Sequence, residues 1–308
     1  MINYLTHDQI DKRLWDACVG QAPNGNSYAW SWYLDIAHPG WEALVECVDG
    51  KYLTAMPLTG KKKFGIHYLC QPFFVQQLGV FSVMPLSPAR VQEFLEAIPK
   101  KYRLIEINLN EGNPLPEPVR EVQYHRNCLL DLQYDYQTLL SNYHENTKRN
   151  LKKSLNYGLR LVKEVSVEKI IALFRADRGV AVKHWKDEEY LRLQRLVEQA
   201  TTSSNALVYG VQEIDKENVI CGAIFLFTHQ RITYLFSGNS AEGKRVQAMT
   251  FLLDQVVREF SNRPLTLDFE GSDDENLARY YLGFGAREQK YPSYHCYMPK
   301  VLYLCTKL

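Results

Sequence analysis

Asp268 and Glu270 stand two positions apart in LTLDFEGS, Ser272 follows, and Tyr281 lies just beyond in DDENLARYYLGFGA. A carboxylate can orient an amine or take its proton, and a tyrosine hydroxyl can return a proton to a leaving group. The set therefore suits attack of an amine on an activated carbonyl. Strand alternation puts Leu267 and Phe269 on one face and Asp268 and Glu270 on the other. The pair would then sit at the carboxyl end of a strand, where open α/β sheets bind ligands. The plainer reading leaves both acids solvated, with Asp273 and Asp274 capping the helix that follows. Tyr281 shares helical spacing with Leu277 and Phe284, so it is expected to face the core with them, while Tyr280 points elsewhere.

Upstream, ITYLFSGNSAEGKR supplies strand amides around Phe236, Ser237 and Gly238 that could meet a developing oxyanion, with Asn239 beside them. Its Gly-Asn-Ser segment, with Lys244 and Arg245 following, is either an anion-holding turn or simply a turn. In ENTKRNLKK, Lys148 lies four residues from Lys152 and Arg149 four from Lys153, so like charges stack along one helix side. An anionic partner would relieve that repulsion, with Tyr143 and Tyr157 available for stacking; neutralisation by Glu145 is the alternative. Lys61, Lys62 and Lys63 read as a solvated turn. His184 and Trp185, in VKHWKDEEY, either line an acceptor groove or pack. No CxxC, HExxH, Gly-x-Ser-x-Gly or phosphate-loop spacing occurs, so no metal set is expected.

These residues need a scaffold, and 308 residues suit two domains better than one. Hydrophobic residues at 46% and charged residues at 23% are ordinary for a globular chain. A net charge of +1 gives no global field for nucleic acid or an anionic membrane, so any such contact needs a local basic cluster. Seven scattered cysteines fit reduced thiols in a cytoplasmic protein, and neither a signal peptide nor a membrane span is expected. The halves repeat one plan of strand, turn, strand, strand, helix and acidic strand: WEALVECVDGKYLTAMPL through RLIEINLNEG, then NALVYGVQEIDKENVICGAIF through PLTLDFEGS. DYQTLLSNYHENTKRNLKKSLNYG reads as one long helix ended by Gly158.

The hairpin strands, ITYLFSG, an apolar helix, an acidic strand and a helix ending Tyr281-x-x-x-Gly285 resemble the GNAT acyltransferase fold. ENTKRNLKKSLNYGLRL followed by LDFEGSDDENLARYYLGFGA resembles the Fem-type branch, which carries two such domains in tandem. The resemblance implies an α/β fold with mixed sheets, a degenerate GNAT-like domain over 1–132 and a site-bearing one over 133–308. It implies transfer of an aminoacyl or acyl group to an amine. The donor would be aminoacyl-tRNA or acyl-carrier protein, and the acceptor an amine-bearing small molecule or a peptidoglycan precursor. Asp268, Glu270 and Tyr281 would be catalytic; Phe236, Ser237, Gly238, Asn239, Ser272, His184 and Trp185 would bind substrate. Lys148, Arg149, Lys152, Lys153, Lys244 and Arg245 would bind anions. No cofactor is expected with certainty. Acyl-CoA is an alternative donor, but RVQAMT puts Ala248 and Thr250 where the phosphate-binding glycines of CoA-dependent relatives stand. A catalytically inactive ligand-binding protein is a further alternative.

Overall fold

The computed structural model describes residues 1–116, 122–163, 165–182, 185–214, 216–271 and 273–297. Two compact units emerge, one of Met1–His125 with the chain from Lys290 onward, the other of Arg126–Gln289. The sequence reading placed a single boundary after residue 132, whereas the structure divides the chain after His125 and returns it to the first unit at Lys290.

The first unit opens with β1 (Ile2–Leu5), α1 (Lys12–Gln21) and α2 (Ser31–Ala37). Asp11 caps α1 by accepting from the amides of Arg13 and Leu14. The strands β2 (Glu42–Val48) and β3 (Lys51–Leu58) form the expected hairpin, turned at Asp49 and Gly50, both at positive φ. After Thr59 the chain enters a second sheet as β4 (Gly60–Lys63), followed by β5 (Ile66–Cys70) and β6 (Phe81–Ser82). The helix α3 (Pro88–Glu96), capped by Ser87, precedes β7 (Tyr102–Asn108), and β8 (Val122–Asp131) crosses into the second unit.

Next come α4 (Tyr136–Ser141), α5 (Glu145–Leu155), β9 (Leu159–Lys163), α6 (Val167–Ala176) and α7 (Asp187–Thr202). The hairpin strands β10 (Ala206–Glu213), β11 (Val219–Thr228) and β12 (Arg231–Asn239) follow. Then α8 (Ala241–Arg245), α9 (Ala248–Phe260), β13 (Thr266–Asp268), α10 (Glu275–Leu282) and β14 (Arg287–Tyr297) complete the described chain. The long helix read from 135–158 is two helices. Asn142–His144 breaks it, and the turn swings Tyr143 inward against Phe284, where its hydroxyl lies 3.3 Å from Asp254.

In the first unit, β1-β2-β3-β6 make one sheet, and β4-β5-β7-β14 follow one another in the second, with β5 parallel to β7. Leu44, Met56, Phe94, Ile105 and Leu109 form the core beneath α3. In the second unit the order is β8-β13-β12-β11-β10-β9, with the β13–β12 pair parallel. Alternation along β11 sends Cys221, Ala223 and Phe225 into a core with Leu252, Val256 and Phe284. Gly222, on the opposite face, lies directly across from Gly238 of β12, and a Cβ on either would collide with Ile170 of α6 or its backbone. The glycine pair thus lets α6 press close to the sheet. Both units and their mixed α/β sheets match the tandem layout expected from the sequence.

Candidate functional site

The parallel pairing of β12 with β13 is short, running from Arg231 opposite Thr266 to Thr233 opposite Asp268. β12 continues to Asn239 while β13 stops. Beyond Thr233, β12 keeps β11 on one edge and has no strand on the other among the described residues. One cause is local: Ile224 faces Phe236 and Phe225 faces Tyr234, so Leu235 is an extra residue, and such a bulge increases twist and turns a strand from its neighbour. A cavity of about 430 Å³ fills the opening.

Ser237, Gly238 and Asn239 of β12 form one wall, and Leu277, Tyr280 and Tyr281 of α10 another. Asp274 accepts from the amides of Asn276 and Leu277 and so fixes the start of α10. Tyr281 is 7% exposed, its ring stacked on Phe269 at 5.0 Å and edge-on to Tyr234 at 6.1 Å. Burial pushes its pKa well up, the Arg178 charge pulls it down, and the Glu270 charge adds to the rise. Its hydroxyl is therefore protonated at neutral pH and has no hydrogen-bond partner among the described residues. Tyr280, expected to point elsewhere, lines the same cavity, its hydroxyl 3.3 Å from Thr250 Oγ1. Burial raises its pKa too.

Two further features belong to this wall: Arg178, which the sequence reading did not single out, and the start of α9, which it took only as a segment without the phosphate-binding glycines. Arg178, in a 3-10 turn after α6, lines the cavity without an ion pair or side-chain hydrogen bond among the described residues. The first turn of α9 lines it as well, through Met249 and Thr250, and Gln247 before them has φ +60 and supplies no side-chain cap. Unpaired amides at a helix start favour negative charge. The apolar run after RVQ marked the helix, but only folding shows where it begins relative to β12.

Asp268 and Glu270 do not share a strand face. The strand ends at Asp268, and Glu270 adopts left-handed φ +58, so alternation stops between them. Asp268 is 3% exposed; its Oδ2 accepts from Arg231 Nη1 at 2.7 Å and its Oδ1 from the Glu270 amide at 2.8 Å. Its carboxylate is thus committed to holding the strand end, and neither acid lines the cavity, although the Glu270 charge reaches Tyr281.

Ser272 and His184 lie outside the described residues. Trp185 packs against Phe174, Tyr190 and Phe236, a cluster that meets the cavity through Phe174. Lys244 lines the cavity with its ammonium 2.6 Å from Asp177, whereas Arg245 pairs with Glu242 and covers the Tyr157 ring. None of Lys148, Arg149, Lys152 and Lys153 lines it. Lys148 donates to the Ser141 carbonyl, Arg149 to Asn146, and Lys152 and Lys153 are exposed on α5. Tyr143, buried with its hydroxyl near Asp254, offers no stacking surface.

No family model matches the sequence, and no curated protein is similar to it in sequence. Solved structures are similar in fold. FemX superposes with a TM-score of 0.68 at 12% identity, over 99% of this chain and 100% of that one. A tandem GNAT protein from the clavulanic acid biosynthesis pathway gives 0.52 at 12% identity, over 96% and 98%. L-PGS from Bacillus licheniformis gives 0.53 at 12% identity, over 96% and 94%. The chain has the fold of tandem GNAT-like proteins, FemX among them.

Proposed function

We propose that the chain transfers an activated aminoacyl or acyl group to an amine, with the donor carbonyl seated in the cavity between β12 and α10. The observation that carries this reading is the free edge of β12 at Ser237–Asn239, facing the protonated hydroxyls of buried Tyr281 and half-buried Tyr280 across a cavity of about 430 Å³. Fixed strand amides in a partly dry site stabilise an oxyanion, because they need not reorient as charge develops. The amine nitrogen attacks the carbonyl, and its proton passes by way of water to Glu270, which does not line the cavity but lies near enough for its charge to act on Tyr281. As the tetrahedral centre collapses, the bond to the carrier oxygen or sulfur breaks and the leaving atom takes a proton from Tyr281. Burial keeps Tyr281 protonated, so it enters the step with a proton to give. Asp268 is then a positioning residue, holding Arg231 and the Glu270 amide. Arg178 and the start of α9 receive anionic groups of the donor. The sequence's resemblance to the Fem-type branch favours an aminoacyl donor such as aminoacyl-tRNA, with a peptidoglycan precursor or smaller amine as acceptor, and the FemX-like fold is compatible with it.

A second reading, transfer from acyl-CoA or acyl-carrier protein, is favoured by the uncapped start of α9 at the cavity, where a phosphate could sit. Purified protein offered aminoacyl-tRNA, acetyl-CoA or acyl-carrier protein with a panel of amines, and read by mass, tests both. Transfer from one donor that falls at least ~100-fold in Tyr281→Phe and Glu270→Gln, with Tm retained, supports the assignment. Undiminished transfer in both variants removes these residues from the chemistry, and no transfer from any donor overturns the activity.

A further inference from the structure

The hairpin β4–β5 in the first unit has no role in that chemistry. Lys63 pairs with Ile66, leaving the two-residue turn Phe64-Gly65 with φ +50 and +80, the backbone of a type I′ turn. Such turns favour Asn-Gly, and a bulky side chain at positive φ is strained. Phe64 is nevertheless there and is 92% exposed, so neither turn geometry nor core packing accounts for it. Behind it Lys61, Lys62 and Lys63 are exposed, with no ion pair or side-chain hydrogen bond among the described residues. The sequence from Gly50 to Gln92 contains no Asp or Glu, so no acid on the hairpin itself offsets this charge in an otherwise nearly neutral chain.

We infer that this hairpin tip docks on an anionic lipid surface. Phe64 enters the headgroup boundary while the three lysines meet negative headgroups around it. The order along the hairpin, an apolar apex and then a cationic collar, matches the order of layers met on approaching a bilayer. Single-stranded nucleic acid fits less well. It needs an open ring face beside its cations, and the Lys63 ammonium lies over the Phe64 ring at 5.5 Å.

The test is flotation of the full chain with vesicles of phosphatidylcholine alone, or with about a third phosphatidylglycerol, alongside a single-stranded RNA binding assay. Binding should require the anionic lipid and weaken with salt. Phe64→Asn, which suits the turn better, should reduce partitioning on the order of ten-fold without lowering Tm. Replacing Lys61, Lys62 and Lys63 together by Ser should cost about five-fold per lysine. The proposal is overturned if anionic vesicles do not retain the chain, if both variants bind like the parent, or if the same substitutions abolish RNA binding instead.

Discussion

Each unit contains a parallel strand pair that separates, and the two gaps meet different fates. In the first unit β5 runs beside β7 as far as Cys70 opposite Glu106. The chain after β5 then fills the space with amides. The Leu78 amide donates to the Asn108 carbonyl, Asn108 Nδ2 to the Gln76 carbonyl, and Asn110 Nδ2 to the Leu78 carbonyl. Asn113 and Val80 exchange hydrogen bonds in the same region. In the second unit β12 parts from β13 after Thr233, and a cavity remains. One layout thus yields a gap that amides seal and one that opens on a cavity, although the acidic strand ends NLNEG and DFEGS look alike in sequence.

Filling the open gap should have the largest effect. Ser237→Phe places a ring where Ser237 now lines the cavity, and transfer should fall at least ~100-fold while cooperative unfolding persists near the parental Tm. Retained transfer would show that the donor sits elsewhere. Next, Asp268→Ala removes the buried carboxylate to which Arg231 and the Glu270 amide donate, and should cost about 3–5 kcal/mol in urea unfolding. A loss below about 1 kcal/mol would mean that the strand end does not depend on this pair.

Opening the sealed gap should cost less. Asn110→Ala removes the donor to the Leu78 carbonyl and the acceptor for the Gly112 amide, an expected loss of about 1–3 kcal/mol. Unchanged stability would break the contrast between the units. The smallest effect concerns Asp254 of α9, whose pKa burial raises from 3.8 despite hydrogen bonds from Tyr136 and Tyr143. A carboxyl with a raised folded pKa keeps its proton longer in the folded state, so stability falls as pH rises from about 4 through the folded value. Asp254→Asn should flatten that slope and leave stability at neutral pH equal or slightly higher; a steeper slope would reverse the sign.

The order of elements was legible because it is local. Alternation marked β2, β3 and β10–β12, and the apolar run after RVQ marked α9. What failed depended on contacts far along the chain. Periodicity predicted one helix across 135–158, but Tyr143 turning toward Asp254 and Phe284 breaks it. Alternation put Asp268 and Glu270 together, but Arg231, 37 residues away, draws Asp268 inward and Glu270 takes a left-handed backbone. Tyr280 and Arg178 acquire their place only when α6 and α10 flank the same strand edge, and nothing in their own segments announces it.

Hydrogen exchange of the backbone amides, followed on adding the donor that supports turnover, tests the central claim most directly. Donor should slow exchange at Ser237–Asn239 and leave the sealed segment at Gln76–Val80 unchanged. Protection of Gln76–Val80 with Ser237–Asn239 unaffected would contradict the account.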